Sequence, residues 1–253
     1  MSTTESVTAE GLLARPHREL TAGALTLISL VAFEYVAVAT AMPTVAQALD
    51  GLALYALAFG GTMAAGVVSM VICGGWADAR GPAVPLRVGV AVFAAGLMVA
   101  GCAPQMWLLV LGRVVQGLGG GLISVALYVV VGHRLPQGLQ ARFFGLLAGA
   151  WLLPSIAGPL LAGLLVEQAG WRWVFWATAA LTVPAFALVN PSLRGLSRPR
   201  GHQPAPRRRP LWAVGAAVGA LLLHSGGQQS GALAVVLMTA GLAASSPVRW
   251  RWC

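Results

Sequence analysis

The sequence predicts an all-α integral membrane protein: a six-helix bundle, then a cytoplasmic linker and about two further transmembrane helices. Three observations predict this class. First, 58% of the 253 residues are hydrophobic and only 9% are charged, whereas soluble domains run near a quarter charged. A soluble globule of this size cannot hide so much apolar surface, so most of the chain is solvated by lipid. Second, the apolar residues fall in consecutive runs that are long enough, or nearly so, to cross about 30 Å of hydrocarbon as helices. Third, the basic residues gather between alternate runs.

Six strong runs lie near 21–46, 52–74, 86–104, 106–132, 143–166 and 173–191. Two weaker ones lie near 211–224 and 231–246. The seventh run reaches only about 21 Å as a helix, so flanking residues must help it span. The chain therefore divides into a cytoplasmic tail (1–20), a six-helix transmembrane half (21–191), an Arg/Pro-rich cytoplasmic linker (192–210) and the start of a second transmembrane half (211–253). The tail is polar, carries Glu5, Glu10 and Glu19, and lacks the basic stretch and short apolar core of a signal peptide.

Charge sets the orientation. The net charge of +9 rests on arginine alone, since there is no lysine. With the N-terminus in the cytoplasm, Arg15, Arg18, Arg80, Arg87, Arg134 and Arg142 fall inside, as do all six arginines of the linker and Arg249 and Arg251. That is fourteen of the sixteen arginines. Only Arg172 falls outside, flanked by Trp171 and Trp173 as in an interfacial aromatic belt. The expected location is the plasma membrane, with the N-terminus cytoplasmic. Arginines in short loops, rather than on one amphipathic face, argue against a nucleic-acid partner. The linker has four prolines and six arginines, so it is neither helix nor core, and its charge also suits lipid headgroups.

Two charges lie inside apolar runs: Glu34 in the first and Arg113 in the fourth. Each costs at least ~2.5–3.5 kcal/mol in hydrocarbon, and such residues mark substrate, ion or proton paths. Gln116 lies three residues after Arg113, hence on the same helix face. Glu34 stands roughly 20 Å above the cytoplasmic start of its run, and Arg113 roughly 9 Å below the outer start of its own. In a core of about 30 Å the two fall at one depth. Burial favours the neutral form of a carboxyl group and a nearby cation favours the charged form. Glu34 is therefore expected to exchange a proton while facing Arg113 or a cationic substrate. Two plainer readings stand beside this: a permanent structural ion pair, and an arginine that snorkels outward.

Glycines and prolines complete the pattern. Residues 74–82 read as the loop between the second and third helices and as a cytoplasmic gate: Gly81 permits a tight reversal, and Asp78 can pair with an arginine or cap a neighbouring helix, closing the cytoplasmic side. Gly117, Gly119, Gly120 and Gly121 let another helix backbone approach the fourth helix. Pro154 and Pro159 each remove a backbone donor from the fifth helix, and Gly158 and Gly163 favour close packing. Enzymatic chemistry has no foothold: no HExxH pair, serine elbow or phosphate loop occurs. Cys73, Cys102 and Cys253 match no metal or disulfide spacing, and no cofactor is predicted.

In order and spacing these segments resemble the major facilitator superfamily. Gly74-x-x-x-Asp78-x-x-Gly81, with Arg80, is similar to its motif A. Arg113-x-x-Gln116-Gly117 is similar to motif B. Gly158-Pro159 with Gly163 resembles motif C of drug/proton antiporters. Ala79 stands where motif A has a basic residue, and Pro154 where motif C has glycine. The resemblance implies proton-coupled transport of a small molecule, cationic or lipophilic, by alternating access, with protons and membrane lipids as the other partners. Such transporters bind substrate between two six-helix halves. This chain is accordingly expected to be a C-terminally shortened exporter; the alternatives are a half-sized one acting as a homodimer, a non-functional fragment, and, from another class, a membrane enzyme or scaffold.

Overall fold

The computed structural model describes residues 11–12 and 17–196. The expectations for most of the tail, for the linker beyond residue 196 and for the two weaker runs lie outside the described residues. Six helices follow one another: α1 (Arg18–Ala48), α2 (Tyr55–Arg80), α3 (Ala83–Gly101), α4 (Met106–Arg134), α5 (Gln137–Ala169) and α6 (Arg172–Val189). Short 3-10 turns at Leu52–Leu54 and Asn190–Leu193 precede α2 and follow α6. All six helices are long and apolar enough to cross a membrane, and no strand occurs among the described residues. We call the face at which α1 begins the near face and the opposite one the far face.

Helix ends differ from the apolar runs in two places. Residues Gly74 to Arg80, read from the sequence as part of a loop, continue α2, and only Gly81 and Pro82 form the turn. Gly81 ends the helix with φ +82°, its N–H donating to the Ala77 carbonyl at 2.8 Å. α5 begins at Gln137, well before its apolar run near 143, because Gln140 and Arg142 are good helix formers that extend it beyond the hydrocarbon. Hydropathy marks where lipid begins, whereas propensity and caps mark where the helix ends.

The helices pack in two groups. α4 lies along α2 and α3; α1 lies along α5 and α6; α3 meets α6, and α1 touches α4 only lightly. Between membrane helices there is little hydrophobic drive, so close backbone approach and dispersion hold the bundle. Glycine provides that approach on both sides of α4. Toward α2, a Cβ at Gly117 would overlap the Thr62 carbonyl, and one at Gly121 the Gly66 carbonyl and the Ser69 hydroxyl. Toward α3, a Cβ at Gly112 would lie 2.6 Å from the Ala100 amide nitrogen, and one at Gly119 would overlap the Phe93 backbone.

Proline is accommodated by a cross-helix bond. Pro154 cannot donate to the carbonyl four residues earlier, that of Ala150. The Ser29 hydroxyl of α1 donates to that carbonyl instead, at 3.1 Å. The freed acceptor thus becomes a tie between α1 and α5. The exposed face of α5, with Leu152, Leu153, Ile156 and Leu160, is apolar and suits hydrocarbon.

Gly119→Val drives a branched side chain into the α3 backbone and should destabilise the bundle by about 1–3 kcal/mol or more. Gly132 has nothing within 4 Å of its Cβ position, so Gly132→Ala should be neutral or stabilising by up to ~1 kcal/mol. Thermal unfolding in detergent, followed by the loss of the monodisperse species, checks both.

Candidate functional site

Where α1 crosses α4, the bundle encloses a polar cluster. Glu34, Arg113 and Gln116 are each exposed by 1% or less. The Arg113 Nη1 group donates to Glu34 Oε1 in a salt bridge and to Gln116 Oε1 at 3.0 Å. The three residues that depth and helical spacing bring together on paper therefore meet. Arg113 points into the bundle and does not snorkel, because a counter-charge lies within reach on α1.

The pairing is end-on through one guanidinium nitrogen, not the two-pronged fork that binds a carboxylate most tightly. Glu34 Oε2, Arg113 Nε and Nη2, and Gln116 Nε2 have no hydrogen-bond partner among the described residues. A buried polar atom in that condition costs about 1–3 kcal/mol, and more on a charged group. Chemically, the cluster can bind a proton on Glu34 or turn its remaining N–H groups toward an acceptor. No second ion pair occurs among the described residues.

Sequence reasoning did not single out an aromatic lining that begins beside Glu34. Tyr35, next to Glu34 in the chain, stacks on Trp151 of α5 with centroids 6.3 Å apart. Tyr128 of α4 lies 5.6 Å from Phe144 of α5. Between them is a groove of about 300 Å³ lined by Tyr128, Phe144, Leu147, Ala148 and Trp151. The available signal was aromatic residues on two consecutive helices, but aromatic residues at helical spacing also mark ordinary packing.

The other expected positions divide. Gly117 packs on α2, and Gly158 sits against Val36 and Phe33 of α1. Pro159 lies within an unbroken α5. Gly163 departs from expectation: nothing lies within 4 Å of its Cβ position, so it packs against no neighbouring helix among the described residues. Gly74 is open in the same way. Asp78 and Arg80 are exposed at the near end of α2, and Asp78 forms no ion pair there. At the same face Arg134 holds the turn after α6, donating to the Ser192 carbonyl at 2.9 Å and to that of Arg194.

Six helices long and apolar enough to cross a membrane enclose a buried acid–guanidinium pair, the architecture of a multi-pass membrane protein. The chain belongs to the Major Facilitator Superfamily, whose family model matches residues 24–249. It is 29% identical over 162 residues to an uncharacterised MFS-type transporter of Mycobacterium tuberculosis, covering 64% of this chain and 24% of that protein. It is 36% identical over 148 residues to an MFS efflux transporter of Aspergillus oryzae, covering 58% and 27%. A probable multidrug-efflux transporter of Mycobacterium tuberculosis is 33% identical over 130 residues, covering 50% and 28%. Among solved structures, the POT family transporter PepTSo superposes with a TM-score of 0.59 at 17% identity, over 90% of this chain and 52% of that one. That likeness concerns the fold alone. The alignments span about a quarter of the length of these curated relatives.

Arg113→Met leaves Glu34 buried beside no cation and should destabilise the bundle by about 3–5 kcal/mol. Adding Glu34→Leu should recover most of that loss, since replacing both members of a buried pair is often near neutral. A double-mutant cycle on thermal stability in detergent tests this; additive losses would mean that the two side chains do not interact.

Proposed function

We propose that this chain forms the proton-handling half of a small-molecule exporter that works by alternating access, with its N-terminus in the cytoplasm and its helices in the plasma membrane. The observation that carries the reading is the buried Glu34–Arg113 pair at the light α1–α4 crossing. An end-on pair with unused donors is suited to breaking and re-forming. When Glu34 takes up a proton, the guanidinium loses its counter-charge and the cluster becomes net positive. When the proton leaves, the pair re-forms and the cluster is again neutral. A change of one charge inside a low-dielectric bundle is large enough to bias a conformational equilibrium. Two relatives with the efflux names given above support export over import. The arginines at the near face support the cytoplasmic N-terminus.

Glu34→Gln keeps the shape and removes the proton site. In everted membrane vesicles energised by a pH gradient, it should lower uptake of a lipophilic dye by an order of magnitude or more, the range seen when a proton-transfer group is lost. Downhill exchange of the same dye without a gradient should persist. Unchanged gradient-driven uptake would rule out the coupling role and leave the pair structural.

A further inference from the structure

The chain contains a second copy of its α2–α3 turn, on the opposite face. Gly74-x-x-x-Asp78-x-x-Gly81 recurs as Gly163-x-x-x-Glu167-x-x-Gly170, each position 89 residues later, as from 81 to 170. The backbone repeats with it. Gly81 has φ +82° and ψ 162°, and Gly170 has φ +91° and ψ 157°. Each N–H donates to the carbonyl four residues earlier, Ala77 in one case and Val166 in the other. In each turn the next helix begins two residues on, at Ala83 and at Arg172. Both first glycines are open, with nothing within 4 Å of the Cβ position.

Burial gives the same offset independently. All seven buried residues of α6 lie 89 positions after buried residues of α3, as from Phe93 to Thr182. All five buried residues of α5 from Leu147 onward match α2, as from Cys73 to Ala162. Fourteen of the sixteen in α4 match α1. Even a tight contact repeats: Gly23 meets Val189, and Gly112 meets Ala100. The bundle is thus two three-helix units, α1–α3 and α4–α6. Three crossings bring the chain to the other face, so the second unit is inverted. The turn after α2 lies at the near face and the turn after α5 at the far face.

We propose that Gly163, Glu167 and Gly170 form a far-face gate site, the inverted counterpart of Gly74, Asp78 and Gly81. The occupant is a helix of the opposing half of the same transporter. Gly163 and Glu167 lie one turn apart on one face of α5. The open glycine admits the opposing backbone, and the carboxylate meets a cation or helix N-terminus presented beside it. Glu167 is exposed and forms no ion pair among the described residues, so its charge is available to a cation carried by such a helix. Contact at Glu167 closes the far side while contact at Asp78 closes the near side, so the two acids act in opposite senses on one equilibrium. The inference rests on the alternating-access reading above.

Cysteines at exposed positions of α1 report the equilibrium. Thr26 lies toward the near face and Thr40 toward the far face. Each is changed to cysteine in the full chain, with Cys102 and Cys253 replaced by serine; Cys73 is buried. Alkylation by a water-soluble maleimide is then timed in membranes. Glu167→Gln should speed labelling of Thr40→Cys by about threefold and slow that of Thr26→Cys, the size expected for losing an exposed charge contact. Asp78→Asn should do the reverse. If Asp78→Asn shifts the rates and Glu167→Gln does not, or shifts them in the same sense, the far-face gate is overturned and the near-face gate stands. If neither substitution shifts them, the gating reading of both turns falls. Proton coupling at Glu34 is judged separately by vesicle transport.

Discussion

The constraint on which the bundle turns is the need to neutralise one guanidinium in a low-dielectric interior. Arg113 is among the largest fully buried side chains of the molecule, and α1 supplies its only carboxylate partner among the described residues. Leaving such a charge uncompensated costs several kcal/mol. The rotational setting of α4 follows: Arg113 turns toward α1 with Gln116 bonded to it, while Gly112, Gly117, Gly119 and Gly121 lie against α2 and α3. α1 is fixed in the same way, with Glu34 inward and the stripe through Thr26 and Thr40 outward. The contact that sets both helices joins two elements that otherwise touch only lightly. A seam held by one polar pair can respond to a proton in a way that a glycine-packed seam cannot.

The glycines explain why the remainder of the unit is stiff. On α4 they remove side chains on two sides, so the neighbouring backbones come nearly into contact. Packed interiors of that kind have discrete arrangements and do not deform smoothly. A protonation event at the α1–α4 crossing is therefore expected to act on the bundle as a body. Asp78 and Glu167 lie near the ends of two long helices, α2 and α5, so small rotations of the body move them against whatever they face.

Much of this was legible in the sequence, for identifiable reasons. Glu34 and Arg113 stand out because charge is expensive where they lie, and rise per residue places them at one depth. Gly117 and its neighbours announce a close approach because no other reason favours so many glycines in one helix. Other features were hidden. The continuation of α2 to Arg80 was lost because a hydropathy run ends where lipid ends. Gly163 looks like a packing glycine, but nothing local says which side of α5 it occupies. The Ser29–Ala150 bond needs the partner helix in place. The three-helix repeat is nearly invisible in residue identities, because what repeats is burial and turn geometry.

That last point separates scaffold from chemistry. At the offset that superposes the two units, Arg113 corresponds to Ala24, Gln116 to Leu27 and Glu34 to Ile123. All are buried, so the positions are equivalent in packing, yet only one copy of each carries a polar group. An inverted repeat offers two equivalent sets of positions at the α1–α4 crossing. Filling both with charges would enclose two cations and two acids in one apolar core, doubling the desolvation penalty. Filling one set gives a single buried acid with a single counter-charge. The turns at the membrane faces meet no such penalty, because Asp78 and Glu167 are exposed. Duplication is therefore cheap at the surfaces and expensive at the centre. The proposed two-sided gate around one buried acid is the arrangement that this difference in solvation favours.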